Sequence, residues 1–370
     1  VQATNGRPVN FKGNAYIRIG SYKKKLSDHP ERERVIWTQS GSYSFEKEIC
    51  SYQLTPKVVL EHIDWVSLYT LLELPIPADD KSILDRLVQE KILQKNGGNF
   101  DITNLGVILF AKDITQFDDL SKKAIRVIFY NGKNKNETLH EQAGIKGYAN
   151  GFQKLIVYLE RFLPSKEVIE NALRKSVPAY PSIALRELIA NALIHQDFSI
   201  RGTSPMIEVY SNRIEITNPG SPLIDPDRFV DHPPQSRNEL MAGFMRRLKI
   251  CEQRGSGYVK VAIECEKNRL PAPEIIVDDN YTRVILYAPQ SFKDLSKADK
   301  VRGCYIHSCV KYVSGEQMTN QSLRERFGVP ENEYTAISNV ITQATEAGFI
   351  KLSDPNNTSK RYAKYVPYWA

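Results

Sequence analysis

The chain has 370 residues, 41% of them hydrophobic, which is too much for one ordinary core, so roughly two to four domains are expected. Charged residues make up 25% and the formal net charge is +7, a mildly basic balance that does not by itself establish nucleic-acid binding. No run approaches about 18 consecutive apolar residues and no basic–apolar–small leader is visible, so neither a membrane span nor secretion is signalled.

Residues 14–20 alternate apolar and polar and read as a strand, followed by the basic run 22–25 and a helix over 30–38. Residues 1–34 hold eight Lys/Arg against three acids. That excess suits a phosphate backbone, and it equally suits a solvated charged face. Residues 40–53, rich in Ser and Tyr, read as a connection. A helix is expected over 56–72 after Pro56, and another over 79–93 with Asp79 or Asp80 as N-cap. Gly97–Gly98 make a turn, and 105–111 reads as a short apolar strand. This order suggests a small winged-helix-like unit, with plain linker helices as the alternative.

Residues 124–130 form a strong strand ended by Asn131–Gly132, and 147–163 an amphipathic helix stopped by Pro164. A helix comes next over 182–197, then a hairpin over 205–217 turning at Ser211–Asn212. Helices are expected over 236–249 and 256–268, and strands over 274–278 and 281–288. After a polar linker at 289–299 come helices over 300–313, 319–327 and 331–347, then strands over 349–352 and 361–367. Helix-turn-helix plus a β-hairpin is the winged-helix pattern. The five cysteines, Cys50, Cys251, Cys265, Cys304 and Cys309, form no Cys-x-x-Cys pair, which fits a reduced cytoplasmic chain. Cys304, His307 and Cys309 crowd one stretch, read as part of a buried helix, with a metal site as the alternative.

The chemistry concentrates on the helix around 185–197. Glu187, Asn191 and His195 are four residues apart and form one polar ladder at about 3.6 residues per turn. Leu185, Leu188, Ile189, Ala192 and Leu193 occupy the other faces. Asn offers a neutral oxygen to Mg²⁺, and Glu can accept a proton from water. From spacing alone a solvent-facing stripe explains the ladder as well. Two downstream motifs decide between these readings. The hairpin ends in Asn218-Pro219-Gly220, a polar side chain beside a Gly turn that suits a purine edge. Gly255-Ser256-Gly257 then opens a helix, exposing backbone N–H groups to phosphate.

The run from Arg186 through Glu187, Asn191, Ala192, His195 and Asp197 to Phe198 resembles the N-box of the GHKL ATPases. It is most similar to a branch described as RecG-like or as transcriptional regulators. Asn218–Gly220, the Arg237-Asn238 pair and Gly255–Gly257 match that branch in order. The resemblance implies ATP and Mg²⁺ as ligands. Asn191 would hold the Mg²⁺, Glu187 would be the general base, and Asn218 would contact adenine. Gly220 would open the floor of the adenine pocket, residues 221–254 would form a lid, and Gly255 and Gly257 would meet the phosphates. One departure matters: the Asp-x-Gly-x-Gly box of the wider superfamily is here Asn218-Pro-Gly220-Ser-Pro222. An amide replaces the acid, which puts base selectivity and hydrolysis in doubt.

Phe11 to Ser21, with Tyr16, Arg18 and Gly20, resembles the end of the AlbA-like domain shared with Schlafens. That resemblance implies nucleic-acid contact. The expected partner is nucleic acid, DNA more than RNA, and Lys23, Lys24 and Lys25 are the expected contacts. At the far end Lys360, Arg361 and Lys364 would lie on a wing near phosphates. The presumed reading helix 331–347 holds Glu331, Glu333 and Glu346 and no Lys or Arg, so protein contact or dimerisation competes with DNA binding there.

The expected architecture is α+β and multi-domain. It comprises an AlbA-like remnant over 1–50, a helical, winged-helix-like connector over 51–112, a GHKL (Bergerat-type) α/β sandwich over 113–290, and a winged helix over 296–370. The expected function is an ATP-binding, nucleic-acid-associated regulator with no membrane role; a homo-oligomer is left open. An ATPase powering a nucleic-acid transaction or phage defence, and a scaffold with a degenerate nucleotide site, are the alternatives. No Gly-x-x-x-x-Gly-Lys-Ser/Thr loop is present, so no helicase motor is signalled.

Overall fold

The structure, a computed structural model, describes residues 8, 10, 11, 13–19, 22–38, 44–170, 173–252, 256–356 and 363–370. The N-terminal strands β1 (Asn10–Phe11), β2 (Asn14–Ile19) and β3 (Tyr22–Lys25) form an antiparallel sheet. Its pairing sets Arg18 opposite Lys23 and Tyr16 opposite Lys25. Helix α1 (Pro30–Thr38) comes next, with Pro30 at a position where the missing N–H costs nothing and Glu31 and Glu33 in the first turn.

Strand β4 (Ile49–Leu54) leads into α2 (Pro56–His62), α3 (Trp65–Leu71) and α4 (Asp80–Gln89). The single helix expected over 56–72 is thus two. Asp64 interrupts it, because its carboxylate accepts from the Ser67 N–H at 3.2 Å and starts a new helix. The hairpin β5 (Leu93–Asn96) and β6 (Asn99–Thr103) turns at Gly97, whose φ of +64° suits glycine. The strand expected over 105–111 is instead helix α5 (Asn104–Phe110). Thr103 caps it, accepting from the Gly106 N–H at 3.0 Å, and all seven of its residues are buried. A short apolar run buried on every side carries no period to tell strand from helix. The four-residue helix α6 (Asp118–Ser121) closes this region.

The central block holds β7 (Arg126–Tyr130), β8 (Thr138–Ala143), α7 (Tyr148–Phe162), β9 (Ser165–Glu170), β10 (Leu173–Pro178) and α8 (Ser182–Ile194). It continues with β11 (Met206–Val209), β12 (Arg213–Pro219), α9 (Glu239–Arg247), α10 (Gly257–Lys267), β13 (Glu274–Val277) and β14 (Tyr281–Tyr287). Six strands form one mixed sheet in the order β13-β14-β12-β11-β7-β8, in which only β7 and β11 run parallel. Strands β8, β9 and β10 were not expected from sequence. Alternation puts Val127, Phe129, Ile207, Val209, Ile214 and Ile216 on one buried face, which α7 and α8 cover. The opposite face buries Glu208 directly across from Glu215. Lys135 at 2.5 Å and the Tyr130 hydroxyl at 3.0 Å meet the first carboxylate, and Arg213 at 2.7 Å the second.

The C-terminal part comprises α11 (Lys297–Val313), α12 (Asn320–Phe327), α13 (Tyr334–Glu346) and the antiparallel pair β15 (Ile350–Leu352) and β16 (Tyr365–Pro367). A capping box between Ser296 and Asp299 starts α11 three residues earlier than expected. The first residues of the expected helix 331–347 make a 3-10 turn, Glu331–Glu333, instead. Cys304 and Cys309 are buried on α11, and His307 between them bonds Glu266 at 3.0 Å and Ser322 at 3.1 Å. Among the described residues no group of three or more His, Cys, Asp or Glu is placed to hold a metal ion, and no helix is long and apolar enough to cross a membrane. One apolar cluster runs from Val59 through the central block to Ile350, so the regions share a continuous core.

Candidate functional site

Pro181 sets the start of α8, and the apolar residues of that helix lock three of its faces into the core. Its remaining stripe carries Glu187, Asn191 and His195, each half-buried, and all three line one cavity of about 840 Å³. The cavity floor comes from the sheet. Ile214, Ile216 and Asn218 share a face of β12 by alternation, and Thr282 pairs with Asn218 across β14. Asn218 and Thr282 are buried and line the cavity where the apolar face ends. The other wall is the segment 221–252, including Leu223, Phe229, His232, Arg237 and Arg246.

Glu187 carries the most telling geometry. Its Oε2 is buried without a hydrogen-bond partner among the described residues. Burial raises its pKa above the ordinary carboxylate value, with Lys260 and Arg186 pulling the other way. Gly257, the first residue of α10, lies against it. A Cβ there would stand 2.7 Å from Glu187 Oε2 and 3.8 Å from Asn191 Nδ2. A larger residue at 257 would push the Glu187 carboxylate aside.

His195 sits at the C-terminal end of α8. Burial, helped by the positive charge of Arg237, pushes its pKa down to about 4, so the ring is neutral near pH 7. Cys251 also lines the cavity, and burial together with Glu187 pushes its thiol up to about 11.

Three joints hold the cavity walls in register. Asn238 donates through Nδ2 to the carbonyls of Ile194 and Gln196, each at 2.8 Å, and so satisfies the open end of α8. Gly220 has φ +95°, and a Cβ on it would meet the Asp197 Cβ at 2.6 Å. Gly220 therefore packs against the loop after α8 and does not line the cavity. Its carbonyl accepts from the Thr282 hydroxyl at 2.7 Å. Arg237 donates to the Ser221 carbonyl at 2.7 Å and lies 3.8 Å from the Asp197 carboxylate.

Of the residues singled out from sequence, Glu187, Asn191, Asn218 and Gly257 are brought together at this cavity. Gly255, Lys360 and Arg361 lie outside the described residues. Lys23, Lys24 and Lys25 are exposed on β3, with the Lys23 ammonium 3.9 Å from the Tyr16 ring centre, and Lys364 is exposed beside β16. Sequence reasoning missed Thr282 and Arg246. The signal for Thr282 was its place on an inward-facing position of an otherwise apolar strand; Arg246 had none, because only the path of 221–252 brings it to the cavity.

The model of a family described as "Putative ATP-dependent DNA helicase recG C-terminal" matches residues 202–286. That stretch runs from just before β11 into β14 and includes Asn218, Gly257 and Thr282. The match supports an ATPase-like domain in this part of the chain. No curated protein matches the chain. Among solved structures, the DIP2311 protein from Corynebacterium diphtheriae is similar in fold, with a TM-score of 0.54 at 15% identity, covering 96% of this chain and 70% of that one. An ATPase-like domain with this cavity supports nucleotide binding.

Proposed function

We propose that the cavity is a GHKL-type ATP–Mg²⁺ site in a nucleic-acid-associated regulator. One observation carries the reading: a buried carboxylate oxygen on Glu187 without a partner among the described residues, one turn from Asn191 and against the Gly257 start of α10. The donor set fits the ligand. Asn191 would hold the metal ion through its amide oxygen, and Mg²⁺ would supply charge neutralisation for the phosphates. Backbone N–H groups at the start of α10 would meet phosphate. Asn218 and Thr282 would read the base edge. The Asn218 Nδ2 already donates to the Pro219 carbonyl at 3.2 Å, which leaves its Oδ1 as the acceptor for an amino group. Glu187, with a pKa raised by burial, is suited to accept a proton from water.

The flanking units take their roles from the same reading. An AlbA-like remnant over 1–50, a connector over 51–112, the nucleotide-binding block over 113–290 and a winged helix over 296–370 would place Lys23 and Lys25 toward DNA, with Lys24 on the other face of β3. On β2 and β3 the exposed Tyr16, Arg18, Lys23 and Lys25 share one face, which suits a phosphate backbone and an unstacked base. The exposed side of α13 offers Tyr334, Asn339, Thr342 and Glu346 and no cation, so that helix suits protein contact better.

Calorimetry with ATP and Mg²⁺ tests the site. Asn191→Ala should weaken Mg²⁺–ATP binding about tenfold or more while leaving metal-free binding little changed. Absence of nucleotide binding by the wild type at millimolar ATP with Mg²⁺ would remove the proposal. Glu187→Ala should bind nucleotide yet lose any phosphate release the wild type shows.

A further inference from the structure

The cavity wall 221–252 is fastened to the C-terminal part around the turn Pro226–Arg228. At the 3-10 turn Pro226–Arg228, the Asp227 carbonyl accepts a hydrogen bond from the Tyr305 hydroxyl on α11. The Trp369 indole N–H donates to the same Tyr305 oxygen at 3.1 Å. The Arg228 guanidinium lies 4.8 Å from the Trp369 ring centre, and the Asp231 carboxylate holds it there through bonds of 2.8 and 2.5 Å. Tyr305 is only 3% exposed, so its hydroxyl needs the Asp227 carbonyl; a buried hydroxyl without an acceptor is costly. Phe349, 5.3 Å away, and Tyr368, 6.2 Å away, fix the Tyr305 ring. Tyr312 meets Trp369 edge-on at 5.3 Å.

The next residue turns the other way. Phe229 lines the cavity and meets Tyr258 edge-on at 5.7 Å. Tyr258 also lines the cavity and is the second residue of α10, beside the Gly257 that touches Glu187. Between the last residues of the chain and the cavity lie two side-chain steps, Trp369 to Arg228 and then, one peptide on, Phe229 to Tyr258. The opposite end of the same wall is tied elsewhere. Glu46 accepts from the N–H groups of Leu240 and Met241 at the start of α9, and Glu90 pairs with Arg247 at 2.7 Å.

We propose that Trp369 and Tyr305 are positioning residues for this wall, so that docking of the C-terminal part on residues 226–231 and nucleotide in the cavity stabilise one another. This rests on the nucleotide reading above, and reciprocity is required of any such coupling. Anything that draws the β16 end of the chain away from α11 then loosens the wall around Phe229, and nucleotide in turn tightens the seat of Trp369.

The test uses the full chain and three variants. Arg228→Gln removes the cation from the wall and leaves the C-terminal part intact. Tyr305→Phe removes one hydroxyl and keeps the ring. Trp37→Phe with Trp65→Phe leaves Trp369 as the sole tryptophan, read selectively by exciting above the tyrosine band. Without nucleotide, amide exchange over 224–236 should quicken about fivefold in Arg228→Gln and in Tyr305→Phe, while exchange over 182–194 stays as in wild type. The same two variants should bind Mg²⁺–ATP about fivefold more weakly, and Mg²⁺–ATP should shift Trp369 emission. Unchanged exchange in both variants overturns the fastening. Unchanged nucleotide affinity, where the wild type binds, overturns the coupling. A wild type that binds no nucleotide defeats the functional reading and the coupling together, while exchange still decides the fastening.

Discussion

The two walls of the cavity are built on different principles. Helix α8 and the strands β12 and β14 are held by burial along their length: α8 puts three of its faces into the core, and the alternating Ile214, Ile216 and Leu286 of the strands join it. The segment 221–252 has no such period over most of its length. Its α9 part packs Met241, Phe244, Met245 and Leu248 into the core, and the segment is also tied through single contacts to distant parts of the chain, Glu46 and Glu90 on one side and Tyr305 and Trp369 on the other. The first wall is therefore stiff wherever the core is intact. The second leans more on those docked partners, above all at the turn Pro226–Arg228, which buries no side chain of its own, and segments held this way open more readily.

The joints between the walls offer ways to break the contrast. The largest effect is expected at Gly220. Gly220→Val forces a left-handed backbone on a branched residue and drives its side chain into Asp197, at a cost of roughly 3–4 kcal/mol in urea unfolding. A loss below about 1 kcal/mol would mean that the loop after α8 yields, and that the first wall is not stiff.

The next effect depends on pH. The folded-state pKa of His195, about 4, lies below its ordinary 6.5. The unfolded chain therefore binds the proton first, and stability present above pH 6.5 is lost as pH falls toward 4. The loss tends to a ceiling of about 3 kcal/mol. Glu187 acts in the opposite sense. Its raised pKa contributes stability below pH 4.5 that is lost as pH rises, so the two overlap in acid. Comparing wild type with His195→Asn at each pH isolates the histidine. Parallel stability curves between pH 4 and 6.5 would show that the ring is open to water. A smaller effect, about 2 kcal/mol, is expected for Asn238→Ala, which leaves the Ile194 and Gln196 carbonyls unmet in a buried place.

The same contrast explains how much was legible beforehand. Glu187, Asn191 and His195 could be placed on one face because helical spacing is local and the flanking leucines fix which face is buried. Asn218 could be placed because it ends an alternating strand. Thr282 was readable in principle, as a polar residue at an inward position of β14. The helix α5 was misread as a strand because a run buried on all sides hides its period. Strand β8 was missed because all six of its residues are exposed, so it has no apolar face to announce it. The exclusion of Gly220 from the cavity, the capping of α8 by Asn238 and the docking of Asp227 and Arg228 depend on partners tens of residues away. No local pattern encodes such pairings.

The smallest predicted effect is the sharpest test of how the walls meet. Arg237 bridges them, with one bond to the Ser221 carbonyl and a loose pair with Asp197. It is partly exposed, so Arg237→Gln should cost only about 1 kcal/mol. The substitution also removes the second cause that holds the His195 pKa down, since the Arg237 charge opposes a proton on the ring. The acid destabilisation should then level off at a higher pH and reach a smaller final size, because burial alone still depresses the ring. The paired measurement is stability against pH in wild type, Arg237→Gln and the double variant with His195→Asn. If the arginine acts through the histidine, its pH-dependent part vanishes in the double variant and only the constant cost of the lost hydrogen bond persists. If the pH-dependent part survives without the histidine, the charge of Arg237 is felt by another group in the cavity, and the two walls meet differently from the contacts described.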